Sequence, residues 1–124
     1  MKNFTKIFLL FTTLFFATSF INTAYAQACS HTFNLFDSYG DGWNGNSVTV
    51  NVNGSPVASD QTIENGASGS FTFDASAGDI ITLTWTEGSY AYETSWSIVG
   101  GDGSTILNEG FGYSGDMTAV CPVA

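Results

Sequence analysis

The 124-residue chain carries eleven Asp and Glu against two Lys and Arg and one His, a formal charge of −9. Both basic residues, Lys2 and Lys6, stand at the very start, so the rest of the chain is acidic with no ammonium or guanidinium of its own. That excludes nucleic-acid binding by phosphate neutralisation, which needs clustered Lys and Arg, and it disfavours phosphorylated ligands and anionic membranes for the same reason.

The first element is a leader. Lys2 and Lys6 precede an apolar stretch from Ile7 to Phe20 broken only by Thr and Ser, followed by Ala24-Tyr25-Ala26. A positive start, an apolar centre and a small-x-small end describe a secretory signal peptide over 1–26, too short to read as a membrane span. Cleavage before Gln27 leaves 27–124, one small domain with a side-chain charge of −11, secreted or held at the cell surface with no membrane span of its own.

Cys29 and Cys121 stand at opposite ends of that domain. A disulfide between them clasps the termini, and a loop of about 90 residues gives an upper estimate near 4.6 kcal/mol in the chain-entropy model. The rival reading is a lipid-modified Cys29 after Ala26-Gln27-Ala28, which leaves Cys121 without a partner. His31, two residues from Cys29 and apart from any ligand pattern, reads as a surface or strand-edge residue.

The elements that follow are strands. Phe33 and Leu35 open the first. Val48, Val50 and Val52 alternate with polar neighbours, and Asn53-Gly54 is the strongest two-residue hairpin signal. Phe71 with Phe73, then Ile81, Leu83 and Trp85, keep the same period; Tyr92, Trp96 and Ile98 continue it. Ile106 or Leu107, and Met117 with Ala119, mark shorter strands. Seven or eight short antiparallel strands punctuated by glycine turns predict an all-β fold, a small β-sandwich or jelly roll over 27–124.

The loop from Asp37 to Asn46 carries the chemistry. Asp37 and Asp41, separated by flexible residues and followed by Asn44 and Asn46, can converge oxygens on one hard cation, and calcium takes six to eight. Asp37, Asp41 and Gly42 fall at EF-hand positions one, five and six, but Tyr39 and Val48 occupy positions three and twelve, so the loop is not an EF-hand. Glu93, Asp102 and Asp116 are further ligand candidates from other loops. The competing account needs no metal: Asp37 caps a turn through its carboxylate, the glycines supply positive φ, and Trp43 plugs the end of the core. The lack of basic residues favours the cation, because crowded carboxylates have no other counter-charge.

Phe36-Asp37-Ser38-Tyr39-Gly40-Asp41-Gly42-Trp43-Asn44-Gly45, followed by the alternating Val strand and Asn-Gly, resembles the "DSYGDGWNG" modules of secreted and surface proteins in Bacteroidetes and some marine microbes. Such modules are similar in outline to CUB-like sandwiches, a likeness of fold that implies no specific activity.

Enzyme signatures are absent from the sequence: there is no Gly-x-Ser-x-Gly and no His-Glu-x-x-His. The leading expectation is a non-enzymatic, calcium-binding structural or adhesive subunit that assembles with itself or with a surface protein, pairing through the 47–53 and 79–86 strands. The alternative is a calcium-dependent carbohydrate-binding module in which Tyr39, Trp43, Tyr90 and Tyr113 stack on a glycan, while Trp85 and Trp96 point inward.

Overall fold

A computed structural model describes residues 26–123. All but the last residue of the expected leader therefore lies outside the described residues. Eight strands follow in chain order: β1 (Ala28–Asp37), β2 (Ser47–Val52), β3 (Ser55–Gln61), β4 (Ser68–Ser76), β5 (Ile80–Thr86), β6 (Thr94–Val99), β7 (Thr105–Gly110) and β8 (Asp116–Thr118). A 3-10 turn, Ala91–Glu93, precedes β6.

The strands form two antiparallel sheets ordered β4-β1-β6-β7 and β3-β2-β5-β8. Only β2–β3 and β6–β7 are hairpins within a sheet; every other connection crosses the sandwich. The β2–β3 turn has Asn53 at φ 51 and Gly54 at φ 83, the paired positive angles that an Asn-Gly hairpin requires. Loop 38–46 is one of the crossings, carrying the chain from β1 in the first sheet to β2 in the second.

The inward faces obey the period of two. His31, Phe33, Leu35 and Asp37 alternate inward along β1; Val48 and Val50 do so on β2; Thr94, Trp96 and Ile98 on β6. Phe33 faces Phe71 across the β1–β4 pair with ring centroids 4.8 Å apart, and His31 stacks on Phe73 at 5.3 Å. Burying one such aliphatic or aromatic side chain contributes about 1.5–3 kcal/mol.

Three expectations are corrected here. His31 is fully buried rather than at a surface or edge. Its Nε2 accepts the Val120 N–H at 3.2 Å, and its Nδ1 lies 3.1 Å from the Cys29 carbonyl, so β1 alternation places it inside and two backbone groups satisfy it. Tyr92 does not continue the β6 period: the 3-10 turn interrupts the strand just before Thr94 and throws the ring outward. The 47–53 and 79–86 strands, expected to offer edges, are the two central strands of their sheet. The free edges belong to β3, β4, β7 and β8, because strand order depends on crossings that no local pattern encodes.

Cys29 and Cys121 form a disulfide spanning 92 residues of sequence, which joins β1 to the segment after β8 and so ties the two sheets at one end. The bridge occupies the Cys29 thiol that lipid attachment would need. No helix among the described residues is long and apolar enough to cross a membrane.

Candidate functional site

Strand parity places Asp37 on the inward face at the very end of β1, where it is only 5% exposed. A carboxylate there must be satisfied locally, and the following glycine-rich turn does so. Asp37 Oδ2 accepts the backbone N–H groups of Gly40, Asp41 and Gly42 at 2.9, 2.8 and 2.9 Å, and Oδ1 accepts that of Tyr39 at 3.4 Å. Burial raises the Asp37 pKa, but these four donors outweigh it and hold the carboxyl below its ordinary value. The turn demands glycine at position 42, where φ is +97 and an added Cβ would stand 2.7 Å from the carbonyl oxygens of Ile63 and Glu64.

Trp43 is the next residue and is completely buried, which corrects its reading as a ligand-stacking ring. Its backbone N–H reaches Ile63 O at 2.8 Å and its indole N–H reaches Phe36 O at 2.9 Å. The ring lies 5.4 Å from that of Trp85 and 6.2 Å from that of Trp96, closing this end of the core with a cluster of three indoles. Asn46 is also fully buried, and its amide binds protein: Nδ2 donates to Trp43 O and Ser89 O at 2.5 and 2.6 Å, while Oδ1 accepts the Gly88 N–H at 2.7 Å. These bonds turn Asn46 inward and remove it from the metal-ligand set. Asn44 directs its Nδ2 to Asp41 Oδ1 and Gly42 O, so the donor side of its amide faces the acid.

The loop before β6 completes the site. Ser38 N–H binds the Glu93 carbonyl at 3.0 Å, drawing the 3-10 turn against the Asp37 loop. Asp37, Asp41 and Glu93 thereby each offer a carboxylate oxygen within 4.8 Å of the others, an acidic group that could hold a metal ion. Burial, and then the negative charges of Asp37 and Asp41, raise the Glu93 pKa. A divalent cation would reverse that effect by supplying a counter-charge that no Lys or Arg after Lys6 can provide.

Tyr39, Tyr90 and Tyr92 stand around this group. Together with Asp41 and Glu93 they line an open cleft of about 380 Å³. Tyr39 is 76% exposed, Tyr90 57% and Tyr92 74%. Tyr90 adopts the left-handed conformation at φ 55, an uncommon state for a bulky residue, and its ring meets that of Tyr92 at 78° with centroids 6.3 Å apart.

Of the residues singled out from sequence, the fold thus brings together Asp37, Asp41, Glu93, Tyr39 and Tyr90. Tyr113 packs half-buried against the core, away from the cleft lining. Asp102 binds the Ser104 hydroxyl and N–H, and Asp116 lies in β8 opposite Thr82, so neither joins the acidic group. Tyr92 was missed as a site residue because an alternating pattern absorbed it; the Tyr90-Ala91-Tyr92-Glu93 run, with small Ala91 buried between two rings, was the available signal. No family model, curated protein or solved structure matches the chain.

Proposed function

We propose that this chain is an exported, non-enzymatic binding module that holds calcium between Asp37, Asp41 and Glu93 and presents Tyr39, Tyr90 and Tyr92 to carbohydrate. The observation that carries this reading is the cleft itself, which three exposed tyrosines and two of the three clustered acids line together. Exposed aromatic rings stack on the apolar faces of sugars, and a hard cation beside them takes hydroxyl oxygens as remaining ligands. Export agrees with the leader-like 1–26 sequence and with the disulfide, a bond that persists in oxidising compartments. The test is retention on immobilised glycans with calcium or chelator, comparing the native protein with Tyr39→Ala and Tyr92→Ala. Retention that requires both calcium and the rings supports the reading; retention unchanged by either removes it.

Assembly remains a second reading because of β4. This nine-residue edge strand carries a single charge, Asp74, and neither Pro nor bulge interrupts its pairing with β1. By contrast β3, the corresponding edge of the other sheet, contains Pro56 and two register shifts that blunt it. Self-association through β4 predicts a concentration-dependent sedimentation coefficient that Thr72→Pro abolishes; a protein that stays monomeric at all concentrations counts against it.

A further inference from the structure

We infer that the tyrosine cleft also binds a quaternary ammonium group, a ligand class chemically distinct from both calcium and sugar. Tyr90 and Tyr92 form two walls at nearly a right angle, 78° between ring planes and 6.3 Å between centroids. Tyr39 contributes a third ring to the same cleft, and the carboxylates of Asp41 and Glu93 complete the lining. Electron-rich ring faces attract a weakly hydrated cation within about 6 Å of their centroids, and several rings around one such cation make an aromatic cage. The neighbouring carboxylates add direct charge attraction without having to strip a tightly held water shell, as they would for a small inorganic ion.

Two further features of the chain fit this ligand. No Lys or Arg exists after Lys6, so the domain has no cationic side chain that could fold into the cage and fill it. Tyr90 holds a left-handed backbone at φ 55, an uncommon conformation for a bulky residue, and its ring meets that of Tyr92 at the cleft. The inference depends on the rings and the cleft, so it stands or falls separately from calcium binding. Because Asp41 and Glu93 serve both ligands, calcium and the ammonium group compete.

The experiment is titration of the chelator-treated protein with choline chloride, followed by calorimetry and by chemical-shift changes of the tyrosine rings. The neutral isostere 3,3-dimethylbutan-1-ol is titrated in parallel. Saturable choline binding with little or no isostere binding is expected, with at least a tenfold loss in Tyr92→Ala and in Tyr39→Ala and near-native affinity in Tyr92→Phe. Both tyrosines are exposed, so the variants keep the native melting temperature, and circular dichroism verifies this. Added calcium weakens choline binding if the acidic group also holds the metal; choline binding that survives in a protein with no calcium affinity upholds this inference while removing the calcium reading. A vesicle arm identifies the source of the group: co-sedimentation with phosphatidylcholine vesicles, lost in Tyr92→Ala, indicates a lipid headgroup, and soluble binding alone indicates a free or polymer-borne ligand. Absence of choline binding, or equal binding of the isostere, overturns the inference.

Discussion

Asp37 Oδ2 accepts the N–H of Gly42 at 2.9 Å, five residues downstream, so the carboxylate that closes β1 also shapes the turn that starts the approach to β2. Asp37 therefore makes the turn expected of it, with backbone N–H groups on both carboxylate oxygens, and its carboxylate also lies beside those of Asp41 and Glu93 in a group that could hold a metal ion. The N–H cradle keeps Asp37 ionised, which is the state a cation requires.

Gly42→Ala is expected to destabilise the protein by about 2–4 kcal/mol, since it combines an unfavourable positive φ with a methyl forced against two backbone carbonyls. Gly40→Ala serves as the comparison. Its φ is also positive, at +90, but its Cβ would meet only Ala67 Cβ at 3.8 Å, so the cost is about 1 kcal/mol. Urea unfolding midpoints measure both, and equal losses would show that the close approach to Ile63 and Glu64 is not what matters.

Trp43→Phe should cost about 1 kcal/mol more than Trp96→Phe. The first leaves the Phe36 carbonyl without its indole donor, whereas the Trp96 Nε1 is buried and has no hydrogen-bond partner among the described residues. Thermal unfolding of the two variants decides the order.

Asp79 gives the stability a defined acid dependence. Its Oδ1 accepts from Asn53 Nδ2 at 3.0 Å and its Oδ2 from Ser76 N–H at 2.9 Å, clipping the β2–β3 turn to the β4–β5 turn. The Asn53 amide first, and then the Ser76 N–H, lower its pKa on folding. A depressed folded pKa means that the contribution is complete above the unfolded value and is lost as pH falls through the folded one. Asp79→Ala is therefore less stable than the native protein at neutral pH and loses less on acidification across that window; parallel curves of stability against pH would contradict the assignment.

Much of this architecture was legible in the chain. Alternating Val48, Val50 and Val52, the Asn53-Gly54 turn and the Cys29–Cys121 pair each follow from local chemistry, and the structure contains all three. The same parity rule, extended by one period of two residues at each end of the Phe33–Leu35 run, turns both His31 and Asp37 inward. Trp43 was harder to read, because a Trp in a Gly-rich loop carries no parity and its burial depends on Ile63 and Phe36 supplying carbonyls from elsewhere. Glu93 was one of several equivalent acids until the Ser38 N–H to Glu93 carbonyl bond brought its turn to Asp37, a contact between distant segments that spacing cannot encode. The position of β2 and β5 at the centre of their sheet is of the same kind.

Replacing both cysteines, Cys29→Ser with Cys121→Ser, is expected to lower stability by about 2–5 kcal/mol, since the bridge closes nearly the whole domain into one loop. Denaturant unfolding of the oxidised and doubly substituted proteins gives the difference. An unchanged midpoint would mean that the sheets hold the termini without the bridge.

Glu93→Gln separates the two roles of the acidic group. It removes one of three mutually repelling carboxylates, so in chelator the variant is expected to be at least as stable as the native protein; on the proposed calcium reading it also removes a ligand, so calcium is expected not to raise its melting temperature. Loss of stability in chelator together with an undiminished calcium response would contradict both parts.

The most direct measurement is calorimetric titration of calcium into the chelator-treated protein, with Asp41→Ala and Glu93→Gln alongside. The account predicts saturable binding of one ion per chain in the native protein, with affinity reduced at least tenfold in each variant while the fold is retained. No binding heat in the native protein, or equal affinity in all three, would show that Asp37, Asp41 and Glu93 do not form a calcium site.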